Sequence, residues 1–212
     1  MKEHPILFSG PLVRAILSGE KTQTRRLVRG RALEMIERDS HELLPCPYGY
    51  EKDRLWVRET WGYDQDGPHT SLVLFRADRD DLGIRWRPSI HMPRWASRIS
   101  LEVTEVRVQR IQDITEEHAR AEGLPRNWTD GEPGWNPNEH GYLTPAGCYA
   151  DESGDDSPEC WVWWKGRREI GVVYTAREAL QLWWDHINGE RAGGSWEANP
   201  WVWAVSFKRV RA

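Results

Sequence analysis

The chain has 212 residues, 39% of them hydrophobic and 29% charged, with a formal net charge of −4. That length suits one domain of ordinary size, or a small domain with a large insertion. The 14 Trp, against 6 Tyr and 3 Phe, exclude a disordered chain, which is poor in aromatics, and no heptad pattern or long apolar run points to a coiled coil or a membrane span.

Ile6-Leu7-Phe8 is a short apolar run. Leu12, Ile16 and Leu17 follow at helical spacing, with Pro11 suited to a first turn and Gly19 to a stop. Residues 30–52 read as irregular, with a turn cluster at Pro45–Gly49. Arg54 to Trp61 reads as one strand and Ser71 to Ala77 as another. Ile99 to Val108 alternates, and its change of phase at Thr104-Glu105 predicts a bulge. Thr115 is placed to cap a short helix that starts with two acids and stops at Gly123.

Residues 124–172 are acidic, rich in Pro, Gly and Trp, and aperiodic, so they read as a loop-rich insertion within a single domain spanning 1–212. Inside it, Trp161 to Trp164 has the composition of a strand. Thr175 to Ile187 is an amphipathic helix closed by Asn188-Gly189, and Trp201 to Phe207 a final strand. Five or six short strands with a few helices predict an α+β fold: a small β-barrel with helices packed on it.

Charge is uneven along the chain. Residues 1–30 carry six basic against two acidic side chains, and residues 85–110 six arginines against Glu102 and Glu105. Residues 111–160 carry twelve acids and two arginines. A near-neutral protein can thus present a basic face, and arginine suits phosphate and base contacts. Solvated strand faces that balance the acidic segment account for the same pattern.

Three segments could carry chemistry. Gly19 to Arg26 packs Lys21, Thr22, Thr24, Arg25 and Arg26 behind a helix stop. A lysine made neutral by burial could activate a threonine hydroxyl as a nucleophile; equally, the cations could bind phosphate and the threonines cap turns. Glu122 stands at a helix end where the dipole disfavours a carboxylate, which hints at another role. Pro88 to Arg98 sets Ser89, His91, Arg94 and Trp95 between prolines, suited to lining a pocket and stacking a base, or simply to entering a strand.

The cysteines Cys46, Cys148 and Cys160 are sparse and odd in number. With no signal-peptide core after Met1, they predict a reducing cytoplasm. No paired Cys or His spacing suggests a metal, no phosphate loop or nucleophile elbow is present, and no cofactor is expected.

The segments Gly19-x-Lys21-Thr22-x-Thr24-x-Arg26, Asp53 to Glu59, Leu101 to Val108 running into Asp113 to Gly123, and Val202 to Phe207 together resemble the ASCH domain of the PUA-like β-barrel superfamily. The resemblance covers residues 4–123 and the C-terminal helix and strand. The longer form, with Arg54 to Trp61, His91 to Trp95 and Ser195 to Trp203, looks like ASCH proteins widespread in phages and prophages. Small bacterial ASCH enzymes hydrolyse N(4)-acetylcytidine. Resemblance to them implies Lys21 as base, Thr24 as nucleophile and Glu122 as the third catalytic group. Arg26 or a backbone N–H would stabilise the oxyanion. Thr22 and Arg26, with Ser89, Arg94 and Trp95 of the Pro88 to Arg98 loop and the two polar candidates that depart from the family pattern, Glu59 and His91, are expected to bind a modified nucleoside or nucleic acid, RNA before DNA. Two other functions remain open: a non-catalytic module that binds a modified base in RNA or DNA, and a single-strand ribonuclease.

Of the tryptophans, those on the predicted strands and C-terminal helix are expected in the core, and Trp86 and Trp95 are the stacking candidates.

Overall fold

The computed structural model describes residues 1–39, 43–64, 72–78, 83–125, 127–129, 161–165 and 168–210. In chain order the elements are β1 (Glu3–Leu7), α1 (Gly10–Ser18), β2 (Gln23–Leu27), α2 (Arg31–Glu37), β3 (Arg54–Arg58), β4 (Trp61–Tyr63), β5 (Val73–Phe75), β6 (Ser100–Arg110), α3 (Glu116–Arg120), β7 (Asn127–Thr129), β8 (Trp161–Lys165), β9 (Arg168–Val173), α4 (Ala176–Asn188) and β10 (Trp201–Val210).

The central sheet has the order β1-β3-β6-β10-β2, with β1 parallel to β3 and the other pairs antiparallel. β6 and β10 are its longest strands; burial alternates over Ser100 to Val103 of β6, whereas Val202 to Val205 of β10 are buried on both faces. Opposite Ser206-Phe207 the register passes from Glu105 to Val103, so Thr104 is the extra residue of the expected bulge. The α+β class holds, and the sheet is open, with β1 and β2 as its edges. It curls far enough for the Arg26 guanidinium on β2 to donate to the Leu7 carbonyl on β1 at 2.7 Å.

One face of the sheet buries Ile6, Leu55, Val57, Leu101, Val103, Trp203, Val205 and Phe207 against Val13 and Ile16 of α1. The other packs Val202 against Ala179, Leu180 and Trp184 of α4, with Ile111, Ile114, Trp161 and Trp196. A smaller cluster joins Trp61, Met92 and Ala96 to Tyr63, Val73 and Phe75 beside the β4–β5 hairpin.

Thr115 caps α3 by accepting from the His118 amide at 3.2 Å, and Thr175 caps α4 by accepting from Glu178 at 3.1 Å. Gly19 closes α1 at φ 89°, a left-handed position natural to glycine.

The chain departs from expectation at three places. Residues 31–37, taken as irregular, form α2, because Ala32, Leu33 and Ile36 recur on one face that packs on the core. The single strand expected over Arg54 to Trp61 breaks at Glu59-Thr60, where the chain leaves β3 and enters β4. The proposed insertion contains backbone order: β7, β8 and β9 form a three-stranded sheet. Residues 126, 130–160 and 166–167 of that insertion, with Trp135, Cys148 and Cys160, lie outside the described residues, as does Ser71 of the expected second strand. No helix among the described residues is long and apolar enough to cross a membrane.

Candidate functional site

Lys21 lies between the end of α1 and the start of β2, and the backbone pins it from two sides. Its amide donates to the Ala15 carbonyl of α1 at 3.0 Å. The next two amides, Thr22 and Gln23, share the Ala121 carbonyl just past α3, at 2.9 and 3.0 Å. Gly123 fits against this stretch at φ +60°; a Cβ there would stand 2.6 Å from the Lys21 Cβ and 2.9 Å from its Cα. The conformation and the close approach both require glycine.

This stitching brings Lys21 and Glu122 together. The Lys21 ammonium donates to the Glu122 carboxylate at 2.9 Å, to the Glu122 carbonyl at 2.7 Å and to the Gln23 carbonyl at 2.7 Å. An ammonium has three protons, so all its donors are in use. The other carboxylate oxygen accepts from Arg25 at 2.9 Å, and Arg25 also donates to the Gln23 side chain at 3.1 Å. Lys21, Arg25 and Glu122 are all buried, at 2%, 4% and 5% exposure.

Burial pushes the Lys21 amine below its usual range, against the opposing pull of the Glu122 charge. Burial also pushes the Glu122 carboxyl up, but Lys21 and Arg25 more than offset this and hold it below the ordinary carboxylate range. A carboxylate unfavourable at a helix end is therefore explained by its two cations.

Pairing of β2 with β10 places Thr24 opposite Val205 and Arg26 opposite Trp203. The Val28 amide donates to Trp201 and the Phe207 amide to Thr22, so the even-numbered residues of β2 bond to β10. The amides and carbonyls of Arg25 and Leu27 then point to the free edge of the sheet. A cleft of about 320 Å³ runs along that edge. It is lined by Thr24, Arg25, Arg26 and Leu27 of β2, by Glu122 and Tyr48, and by Trp183 and Asn188 of α4. Thr24 is 3% exposed, and Lys21 sits behind Glu122 rather than in the lining. Arg26 is held across the Phe8 ring at 5.3 Å, and the Lys21 ammonium lies 5.4 Å from the same ring.

Thr24, Arg26 and Glu122 thus line one cleft, and Lys21 reaches it only through Glu122. The other expected binding residues lie elsewhere. Thr22 is exposed, and its carbonyl accepts from Phe207. Glu59 is buried and takes both its oxygens to the Arg98 fork, at 2.9 and 3.0 Å, while Arg98 also holds Asp78. Burial pushes the Glu59 carboxyl up against the pull of Arg98.

The Pro88 to Arg98 loop uses its polar groups to fasten itself. Arg58 donates to the carbonyls of Ser89 and Ile90, and Arg94 forks onto Glu3 with two contacts of 2.9 Å. His91 is exposed. Trp95 is 66% exposed and meets Trp61 edge-on at 6.0 Å. None of Glu59, Ser89, His91, Arg94 or Trp95 lines the Thr24 cleft.

Sequence reasoning missed the α4 wall of the cleft, above all Trp183, Asn188 and Arg191, together with Tyr48. Trp183 follows Leu180, and Ile187 sits one turn further on; this edge of the apolar stripe was the available signal.

No family model and no curated protein matches the chain. Two solved structures resemble it. One is an ASCH domain from Lactobacillus crispatus JV V101, 13% identical, covering 98% of this chain and 79% of that one, with a TM-score of 0.40. The other is a DUF984 protein from Enterococcus faecalis V583, 11% identical, covering 99% and 81%, with a TM-score of 0.40.

Proposed function

We propose that the protein hydrolyses an acyl group from the exocyclic amine of a cytosine base or nucleoside. The observation that supports this reading most is a cleft lined by a buried threonine together with Arg25 and Glu122, whose carboxylate is backed by the buried Lys21 from the far side. Burying three charges gains little stability over an apolar cluster of the same shape, so a chemical role gives the arrangement its purpose.

In this mechanism the acylated base enters along the β2 edge. Lys21 gives one proton to Glu122 and becomes a neutral amine; burial of Lys21 favours the transfer and the Arg25 charge on Glu122 opposes it. The amine takes the Thr24 hydroxyl proton as the Thr24 oxygen bonds to the acyl carbon. Arg26 or an edge amide steadies the charge that develops on the carbonyl oxygen. The carbon–nitrogen bond then breaks, and the cytosine amine leaves with the proton from Lys21. Water hydrolyses the acyl-threonine ester, completing the cycle with the carboxylic acid and free base as products.

Acetate release from N(4)-acetylcytidine tests the proposal. Turnover by the native protein that falls about 10²–10⁴-fold in Lys21→Ala, the range for loss of a general base, is the expected result. No turnover by the folded protein, or turnover unchanged in Lys21→Ala, overturns it.

One observation favours a second reading. All three Lys21 protons are already donated, so the resting site is an ammonium locked in place. That suits a non-catalytic module that recognises a modified base against the same edge. Stoichiometric binding of N(4)-acetylcytidine without acetate release is the outcome that supports this alternative.

A further inference from the structure

The cleft beside Thr24 continues into a second, larger cavity. Leu27, Arg29 and Arg191 line both, so the two form one groove. The second cavity measures about 670 Å³ and is bounded by Arg110, Trp201, Pro200 and the main chain of Gly30 and Gly193.

The groove is basic. Arg26, Arg29, Arg110 and Arg191 line it, against one exposed acid, Glu37. The Glu122 charge at its inner end is already matched by Lys21 and Arg25. Arg110 donates to the Asn199 carbonyl at 3.0 Å and Arg191 to the Asn188 side chain at 3.1 Å, both neutral acceptors. Among the described residues, Arg29, Arg110 and Arg191 form no ion pair. These three exposed arginines give the groove a positive lining that an anion can meet. The Arg110 guanidinium also lies 4.2 Å from the Trp201 ring, forming a flat cationic and aromatic surface on which a base can stack.

A neutral nucleoside has no charge for these arginines to meet. We propose that the substrate is a base within a single-stranded polynucleotide. The reacting base lies at Thr24, the phosphodiesters flanking it lie against Arg29 and Arg191, and the next base stacks at Arg110 and Trp201. A single strand is favoured over duplex because a paired base reaches the edge of β2 only after leaving the stack, which costs a few kcal/mol. This inference rests on the proposed site, and it concerns which molecule enters that site.

Fluorescence anisotropy of a labelled five-nucleotide strand, RNA in one arm and DNA in the other, tests it on the full chain. Contact with two phosphates predicts that affinity falls about sevenfold between 50 and 200 mM salt. Arg29→Glu and Arg110→Glu are expected to weaken binding at least tenfold each. Binding of either sugar type with this salt response supports the proposal. Absence of binding at 50 mM salt overturns it, as does affinity unmoved by salt or by both variants, or equal binding of an acidic peptide of the same charge. The anisotropy readout needs no catalysis, so a protein that binds the strand yet releases no acetate separates failure of the hydrolase reading from failure of this one. With acetylated substrates, the ratio of strand to nucleoside turnover is expected to fall in Arg29→Glu.

Discussion

The Glu122 carboxylate bridges two cations, accepting from Lys21 on one oxygen and from Arg25 on the other, each at 2.9 Å. That bridge fastens the start of β2 to the end of α3. It also separates the groups that act on a ligand from the groups that hold them: Thr24, Arg25 and Glu122 face the cleft, and Lys21 backs the carboxylate.

Removing one member of this cluster strands the others. Glu122→Ala leaves two buried cations without a counter-charge and is expected to cost about 3–5 kcal/mol. In a chain of this length each kcal/mol lowers Tm by about 2–4 °C, so calorimetry should show a clear drop. A drop no larger than that of a surface Glu→Ala control would show that the bridge is not formed in solution.

Gly123→Ala should be destabilising for two separate reasons. The left-handed backbone at φ +60° costs a non-glycine residue about 1–2 kcal/mol, and the new Cβ would press on the Lys21 main chain. Urea denaturation checks this; a midpoint unchanged from the native protein would contradict the packing.

Acid stability should depend on Glu122. Its carboxyl is held below the unfolded value of about 4.3 by Lys21 and Arg25. The stabilisation it supplies is therefore complete above that value and is lost as pH falls through the folded one. A Glu122→Gln variant should be less stable than the native protein at neutral pH, with the difference shrinking in acid. A constant difference from pH 7 to pH 2 would contradict the assignment.

Cys46 is expected to be inert. It is 8% exposed, and burial pushes its thiol up to about 11, so little thiolate forms at neutral pH. In a Cys148→Ser/Cys160→Ser background, a thiol-specific reagent should label Cys46 only on unfolding. Fast labelling under native conditions would contradict its burial.

The parts of this fold that were legible beforehand are those set by local chemistry. Thr115 and Thr175 announce helix starts by their side-chain acceptors, and Gly19 announces a stop. The phase change at Thr104 announces a bulge because alternation cannot continue through an extra residue. Lys21, Thr24 and Glu122 were legible as candidates from their residue types and the family resemblance; the structure pairs Lys21 with Glu122 and sets Thr24 and Glu122 in one cleft.

What stayed hidden is what depends on long-range pairing. Nothing local says that β2 takes the sheet edge, so the free amides of Arg25 and Leu27 and the α4 wall of the cleft could not be foreseen. Trp95, expected to stack a ligand at the site, stands on the far β4–β5 cluster because the loop that carries it is tied to β1 and β3. Trp183, read as helix packing, supplies the aromatic side of the cleft instead.

Attack of the Thr24 hydroxyl on the acyl carbon is tested most directly by comparing Thr24→Ser with Thr24→Ala on N(4)-acetylcytidine. Both variants lose the γ-methyl of a buried residue, and only alanine also loses the oxygen, so the pair isolates the hydroxyl. Acetate release is expected from the native protein and from Thr24→Ser, with a loss of at least a hundredfold in Thr24→Ala at a Tm near that of Thr24→Ser. Equal release by the native protein and Thr24→Ala would contradict it.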